Sequence, residues 1–161
     1  MHEIAHWLQS MEIATALRES GLAYPIIMSS HLAGMGVFGG LILITDLRLL
    51  GVVLRGTPIT DVVTQLRVWK RLGLVIVAGC GIMLAWCKAE TYYTNPYFWG
   101  KITLLTLVGV HALVFRRSVY NNTEELDCSA EIPAQAKWAA GLSMLLWVGL
   151  VSCGRLIAYW E

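Results

Sequence analysis

The sequence predicts an all-α integral membrane protein, a four-helix bundle preceded by an amphipathic helix. Of its 161 residues 57% are hydrophobic and only 14% are charged. The apolar residues fall into four blocks, each close to the roughly 17–25 residues that a helix needs to cross a bilayer. A net charge of +1 gives no indication of a nucleic-acid partner. We therefore expect a single four-span membrane domain over residues 1–161.

Residues 1–20 are predicted to form an amphipathic helix that lies in the membrane interface. Their apolar side chains recur at helical spacing, and Glu3, Ser10 and Glu12 lie largely off that stripe. A segment with one apolar face and one polar face binds at the boundary between headgroups and acyl chains. Because it lacks a basic stretch followed by an apolar core, it is not expected to be a cleavable signal peptide.

The N-terminus also contains His2-Glu3-Ile4-Ala5-His6, which matches the H-E-x-x-H pattern of zinc proteases. A zinc protease needs a third protein ligand and a substrate cleft around this helix. Here the pattern lies outside all four apolar blocks, and the following WLQSMEIATALRES contains no further histidine. We therefore predict that the protein is not a metalloprotease, and we retain His2 and His6 as candidate ligands of another site.

The four predicted spans are about residues 25–45, 72–87, 97–115 and 138–159. Gly21 and Pro25 mark the turn into the first span, since proline is tolerated in the first turn of a helix. The second span is the shortest, and it needs Trp69 or Lys88 to extend toward the membrane surface at its ends.

The positive charges predict the orientation of these spans. The segment between spans one and two carries five Lys or Arg residues and that between spans three and four carries three, whereas the opposite side carries four. The positive-inside rule then puts both chain termini outside the cytoplasm. Asp46 and Arg48, at the cytoplasmic end of span one, are expected to be structural anchors, with Asp46 paired to Arg48 or Arg116.

Two histidines lie inside spans, where polar side chains are costly and usually face the bundle interior. His31 and His111 are candidate axial ligands of haem b, which histidines of helical bundles commonly hold. Gly34, one turn after His31 on the same face, would leave space for a flat ligand. The alternative is that each histidine is a packing residue with a hydrogen bond.

The depth of these two histidines argues against one shared haem. At 1.5 Å per residue, His31 lies about 9 Å below the outer membrane surface and His111 about 21 Å below it. The two histidines are therefore expected to serve different haems, or only one of them is a ligand.

The principal site is expected in the outer leaflet, around His31. Lys101 and Arg155 lie at the same depth and would bind haem propionates. The sixth ligand is expected from the interfacial helix, as His6 or His2, with Met83 as the rival.

Several stretches carry a resemblance to a known family. SSHLAGMGVFGGLILITDLRLLGV, preceded by WLQ and ALRES, and NPYFWGKITLLTLVGVHALVF resemble an uncharacterised bacterial four-span family that carries only a domain-of-unknown-function label. The matching features are His31 with its glycines, the run from Asp46 to Gly51, and Lys101. This resemblance implies a bacterial inner membrane and no particular activity.

In layout, the chain is also similar to four-span haem-linked proteins. The oxygen-independent protoporphyrinogen oxidase HemJ has a first-span histidine followed by small residues, and a lysine opening a later helix that bears a histidine. The CopD copper-resistance proteins and b-type cytochromes share the bundle. This weaker similarity implies a haem-related function.

Three functions therefore remain open. The leading one is a b-type cytochrome-like electron-transfer subunit, with the lipid bilayer, quinone, other membrane or periplasmic redox subunits, or a second copy of the chain as partners. The others are a HemJ-like porphyrinogen oxidase and a structural or assembly subunit without a cofactor, in which small-residue strips serve only helix packing. The sequence does not decide whether the chain is an independent enzyme.

Overall fold

The computed structural model describes residues 2–121, 123–128 and 131–160, which are mainly helical with no β-strand among them. The N-terminal helices are α1 (His2–Ser10) and α2 (Glu12–Glu19), followed by α3 (Ala23–Leu49) and α4 (Ile59–Cys87). The second half contains α5 (Ala89–Tyr93), α6 (Pro96–Phe115), a π-helical turn (Arg116–Tyr120), α7 (Thr123–Cys128), α8 (Ala134–Leu156) and a 3₁₀ turn (Ile157–Tyr159).

Helices α3, α4, α6 and α8 are each long and apolar enough to cross a membrane. The predicted all-α membrane bundle is therefore confirmed. Helix α4 begins at Ile59, well before the expected start near residue 72. The added stretch ITDVVTQLRVWKR is amphipathic, with Val62 and Val63 buried and Arg67 exposed, so hydropathy alone did not identify it as helix.

The N-terminal amphipathic segment consists of two helices instead of one. Met11 has an extended backbone (φ −60°, ψ 140°), which breaks the helix after Ser10. Helix α1 is fastened to the bundle by two hydrogen bonds: Nε1 of Trp86 donates to the carbonyl oxygen of Leu8, and the amide of Glu90 donates to Gln9. Trp7, 61% exposed, lies on the outside, where an interfacial helix contacts lipid.

Helices α3 and α8 form the central pair of the bundle. Helix α3 packs against α4 and α8, and α6 packs against α8, whereas within the described ranges α4 and α6 make little or no direct contact. Glycines permit the close approaches: a Cβ at Gly73 would lie 3.1 Å from Cβ of Phe38, and one at Gly149 would lie 3.3 Å from Leu104. The unfilled space between α4 and α6 holds two cavities.

We call the end of the bundle where α3 begins and α8 ends the terminal end, and the opposite one the loop end. The buried apolar core lies at the loop end, where α7 packs against α4. It contains Leu49, Ile59, Val63, Val119, Leu126, Ala136, Ala139 and Ala140.

A carboxylate from α7 caps the start of α4. Oδ1 and Oδ2 of Asp127 accept hydrogen bonds from the amides of Ile59 (2.6 Å) and Thr60 (2.9 Å), two of the donors that have no partner within the helix. Burial alone would raise the pKa of Asp127, but these amide donors, aided by the charge of Arg48, lower it overall.

The expected pairing of Asp46 is wrong, since this side chain meets neither Arg48 nor Arg116. Residues two apart on a helix point in nearly opposite directions. Arg48 turns toward the loop and donates from Nε to the carbonyl oxygen of Thr57 at 2.8 Å. Asp46 turns into the bundle, where its neighbours are Ser143 and Lys70.

Replacing Asp127 by alanine is expected to lower the free energy of unfolding by about 1 kcal/mol at neutral pH, the usual value of a helix cap. Because the folded protein lowers the pKa of this carboxyl, the stabilisation is present above its ordinary pKa and is lost as the pH falls through the folded-state value. The difference in thermal midpoint between wild type and D127A should therefore shrink below about pH 4. D61A, at an exposed acid in the first turn of α4, is the control, and an equal, pH-independent loss in both variants would contradict the cap.

Candidate functional site

A cavity of about 570 Å³ lies at the terminal end, between the four long helices and α5. Apolar side chains such as Met28, Leu84 and Phe98 form much of its wall. Its ionisable and phenolic lining residues are Tyr24, His31, Lys88, Tyr92, Lys101 and Arg155, and the described lining contains no Asp or Glu. An apolar cavity with cations and no carboxylate suits a lipophilic anion.

His31 is 8% exposed and connects α3 to α4. Its Nδ1 lies 3.0 Å from the carbonyl oxygen of Val77. A carbonyl oxygen can only accept, so Nδ1 carries the proton and Nε2 retains a lone pair. Metal-binding histidines are commonly held in this way, with one ring nitrogen donating to a carbonyl and the other free to bind.

Gly81 makes room for the His31 ring, a contribution that the sequence analysis missed. A Cβ at Gly81 would lie 3.0 Å from Cε1 of His31, closer than such contacts normally allow. The available signal was the run Gly79-Cys80-Gly81 within an apolar helix, since glycine there often marks a close approach of another helix. Which residue approaches it depends on the register between α3 and α4, and this is not readable from one sequence.

Gly34 packs against α4 and not beside the cavity, where it was expected to leave space for a flat ligand. A Cβ there would lie 3.0 Å from Cγ2 of Val77 on α4. The residue is not part of the cavity lining. The space beside Gly34 is therefore filled by helix α4 instead of a flat ligand.

The structure brings Lys101 and Arg155 to the cavity that His31 lines, as the depth argument predicts. Lys101 is half-buried, and its charge acts on His31. Gly154 accommodates this side chain, because the position of its absent Cβ is 3.7 Å from Nζ. Arg155 is exposed and donates from Nη2 to the hydroxyl of Tyr159 at 2.6 Å.

Lys88 and Tyr92 are two further lining residues that the sequence analysis did not assign to this site. Nζ of Lys88 lies 5.4 Å from the centre of the Tyr24 ring, within the range of a cation–π contact. Burial, with a further contribution from Tyr24, raises the pKa of Tyr92 to about 12. The phenol therefore stays neutral and is available as a hydrogen-bond donor.

Asn95 fixes the wall of the cavity by joining the start of α6 to the end of α8. It is 1% exposed. Its Oδ1 accepts from the amides of Tyr97 (2.9 Å) and Phe98 (3.3 Å), and its Nδ2 donates to the carbonyl oxygen of Ile157 at 3.1 Å. Pro96 follows at the first helical position, where its missing N–H has no consequence.

The other candidate ligands lie elsewhere. Met83 is 40% exposed and outside the cavity lining, because two residues from Gly81 is nearly the opposite face of α4. The exposed His2 packs edge-on to Tyr93 at 5.8 Å, and His6 is also exposed on α1. His111 lines a different cavity, with its Nε2 2.9 Å from the carbonyl oxygen of Ala139.

His31 is consequently the only imidazole that lines the cavity in the parts of the chain that the structure describes. In the same parts, no group of three or more His, Cys, Asp or Glu side chains converges as a metal site. The cavity therefore offers one nitrogen ligand and several cations.

Comparison with known proteins gives one match. The model of a family described as "Family of unknown function (DUF6644)" covers residues 15–160. This confirms the resemblance to an uncharacterised family. No curated protein and no solved structure matches the chain.

Replacing Gly81 by alanine should displace the His31 ring and weaken its bond to Val77. We expect a loss of about 1–3 kcal/mol in the free energy of unfolding, the usual cost of overpacking. The matched control is G79A, on the same helix, where nothing lies within 4 Å of an added Cβ; it should be neutral or stabilising by up to about 1 kcal/mol. Unfolding of both variants in mixed micelles with rising SDS measures the difference, and equal stability would contradict the proposed contact.

Proposed function

The chain belongs to this family of unknown function, and we propose that it is a membrane electron-transfer subunit that binds one haem b in the terminal-end cavity. The observation that carries the proposal is the position of His31 in a cavity lined by cations. Its Nδ1 donates to the carbonyl oxygen of Val77, and its Nε2 keeps a lone pair. When bound, haem b supplies a centre that accepts and releases one electron at a time.

The cavity fits such a group in size and charge. Haem is a flat apolar ring with two carboxylates, and the cavity combines apolar walls with Lys88, Lys101 and Arg155. Its volume of about 570 Å³ is within the range of sites for ligands larger than a single ring. The absence of carboxylates from the described lining removes the repulsion that propionates would otherwise meet.

The residues around His31 would each contribute to haem binding in a different way. Val77 orients the imidazole and increases its basicity through the hydrogen bond to Nδ1. Arg155, steadied by Tyr159, meets carboxylates near the membrane surface, and Lys101 meets them further inside. The chain would supply one ligand to the haem, Nε2 of His31, and any further ligand would come from water or from a partner subunit.

We further propose a bacterial inner-membrane location with both termini in the periplasm. The excess of Lys and Arg in the two segments at the loop end supports this orientation. The terminal-end cavity would then lie in the outer leaflet. Its partners would be a quinone dissolved in the bilayer and a periplasmic redox protein, with a second copy of the chain as a further candidate.

A HemJ-like porphyrinogen oxidase is the second candidate function. The single imidazole in the cavity favours it, because a cytochrome that only carries electrons commonly has two axial ligands. A porphyrinogen has the same apolar ring system and the same carboxylates, so it would use the same cations. A structural or assembly subunit would bind neither molecule.

The test is the haem content of purified protein after replacement of His31 or His111 by alanine. We expect H31A to lose the Soret absorption and H111A to retain it, because only His31 lines the cationic cavity. In the cavity variant H31G, added imidazole should restore the absorption, which distinguishes ligation from a folding effect.

Each alternative gives a different result in the same experiment. Loss of haem only in H111A, at normal abundance, would move the site to the loop end. Retention of haem in both variants, or no haem in reconstituted wild type, would overturn the proposal. Wild type that lacks stoichiometric haem but oxidises added protoporphyrinogen would favour the enzyme.

A further inference from the structure

A second cavity, of about 290 Å³, lies at the loop end of the bundle between the four long helices. Its walls are mainly apolar, and its polar lining residues are Thr45, Asp46, Arg67, Lys70, Arg71, His111, Tyr120 and Ser143. An adjoining cavity of about 330 Å³ lies between α3 and α8. The two cavities share Ile42, Asp46 and Trp147, so these side chains stand between them.

Two polar atoms on this shared wall have no partner. Oδ2 of Asp46 and Nε1 of Trp147 are buried, and neither makes a hydrogen bond within the described residues. Asp46 as a whole is 1% exposed. A buried donor or acceptor left without a partner costs about 1–3 kcal/mol, and an ionisable side chain inside a membrane span commonly marks a functional site.

The surroundings hold the rest of Asp46 in place and give Oδ2 no hydrogen-bond partner among the described residues. Ser143 on α8 is hydrogen-bonded to the carboxyl group, and the charge of Lys70 acts on it from α4. Lys70 is itself fixed, because its Nζ donates to Oγ1 of Thr45 at 3.1 Å. An acceptor and a donor without partners among the described residues therefore lie on two neighbouring helices, in side chains that line both cavities.

We propose that these two cavities bind the hydroxylated ring of a lipid-soluble quinol. A ring hydroxyl donates to Oδ2 of Asp46, and a ring oxygen accepts from Nε1 of Trp147. The apolar walls, with Phe38, Ile42 and Leu74, take the ring and the first part of its tail. This proposal rests on the proposed function, because it gives a site to the quinone-class partner of the electron-transfer subunit.

The chemistry of the site favours a neutral hydroxylated molecule over other occupants. A lipid phosphate or a fatty acid would be attracted by Arg67, Lys70 and Arg71 of the lining, but as an anion it has no hydrogen to donate to Oδ2 of Asp46. Haem would find Nε2 of His111 already engaged with Ala139 and a volume about half that of the terminal-end cavity. A purely apolar molecule would leave both polar atoms without partners.

The experiment measures binding of short-chain ubiquinol and menaquinol analogues to quinone-free protein in nanodiscs, by equilibrium dialysis. The test variants are D46N, which removes the carboxylate, and W147F, which removes only the indole N–H. The matched controls are D61N, at an exposed acid of α4, and W138F, at a tryptophan on the same helix that is 75% exposed. We expect Kd to rise about tenfold in each test variant, the effect of one lost hydrogen bond, and to stay within about twofold in the controls.

The haem site provides an independent readout. H31A should lose haem and keep its affinity for quinol, whereas W147F should keep haem and lose affinity for quinol. If D46N does not fold, W147F against W138F decides the result alone. Equal affinity in test and control variants, or no binding to wild type, would overturn the proposal and leave water as the occupant.

Discussion

The hydrogen bond from Nδ1 of His31 to the carbonyl oxygen of Val77 is the interaction on which the terminal end of the molecule depends. Inside a bilayer an imidazole must find its partner within the protein, and this one finds it on the neighbouring helix. Gly81 favours this bond, because a Cβ there would lie 3.0 Å from Cε1 of the ring and would force the ring to shift. The bond also fixes which nitrogen is protonated, so one constraint sets the helix spacing, the ring orientation and the free lone pair.

The same helix carries a second buried ionisable residue at its other end. His31 and Asp46 are separated by about 22 Å along α3, at 1.5 Å per residue. Each lines a cavity that lies between the four long helices. Cations line both cavities, but the described lining of the terminal-end cavity has no carboxylate, whereas the loop-end cavity contains the buried carboxyl group of Asp46. The two ends therefore differ in the ligands they suit, an amphipathic anion at one and a neutral hydroxylated ring at the other.

Much of the fold follows from the sequence, because an uninterrupted apolar helix is a strong local signal. The depth of each residue along its helix also predicted that His31, Lys101 and Arg155 lie close to one cavity, because depth follows from the number of residues and the helical rise alone. Counting residues did not give the direction in which each side chain points around its helix axis. Met83 was expected at the site although it lies on another face of α4, and the expected partners of Asp46 were wrong. The contributions of Gly81 and Val77 depend on the register between two helices, and only the folded structure defines it.

We propose that one haem b binds in the terminal-end cavity. The most direct measurement is a titration of purified wild-type protein in detergent with haem, followed by absorption and a pyridine haemochrome assay. We expect a Soret band that saturates at one equivalent of haem per chain. Saturation at two equivalents, or a spectrum that remains that of free haem throughout, would contradict it.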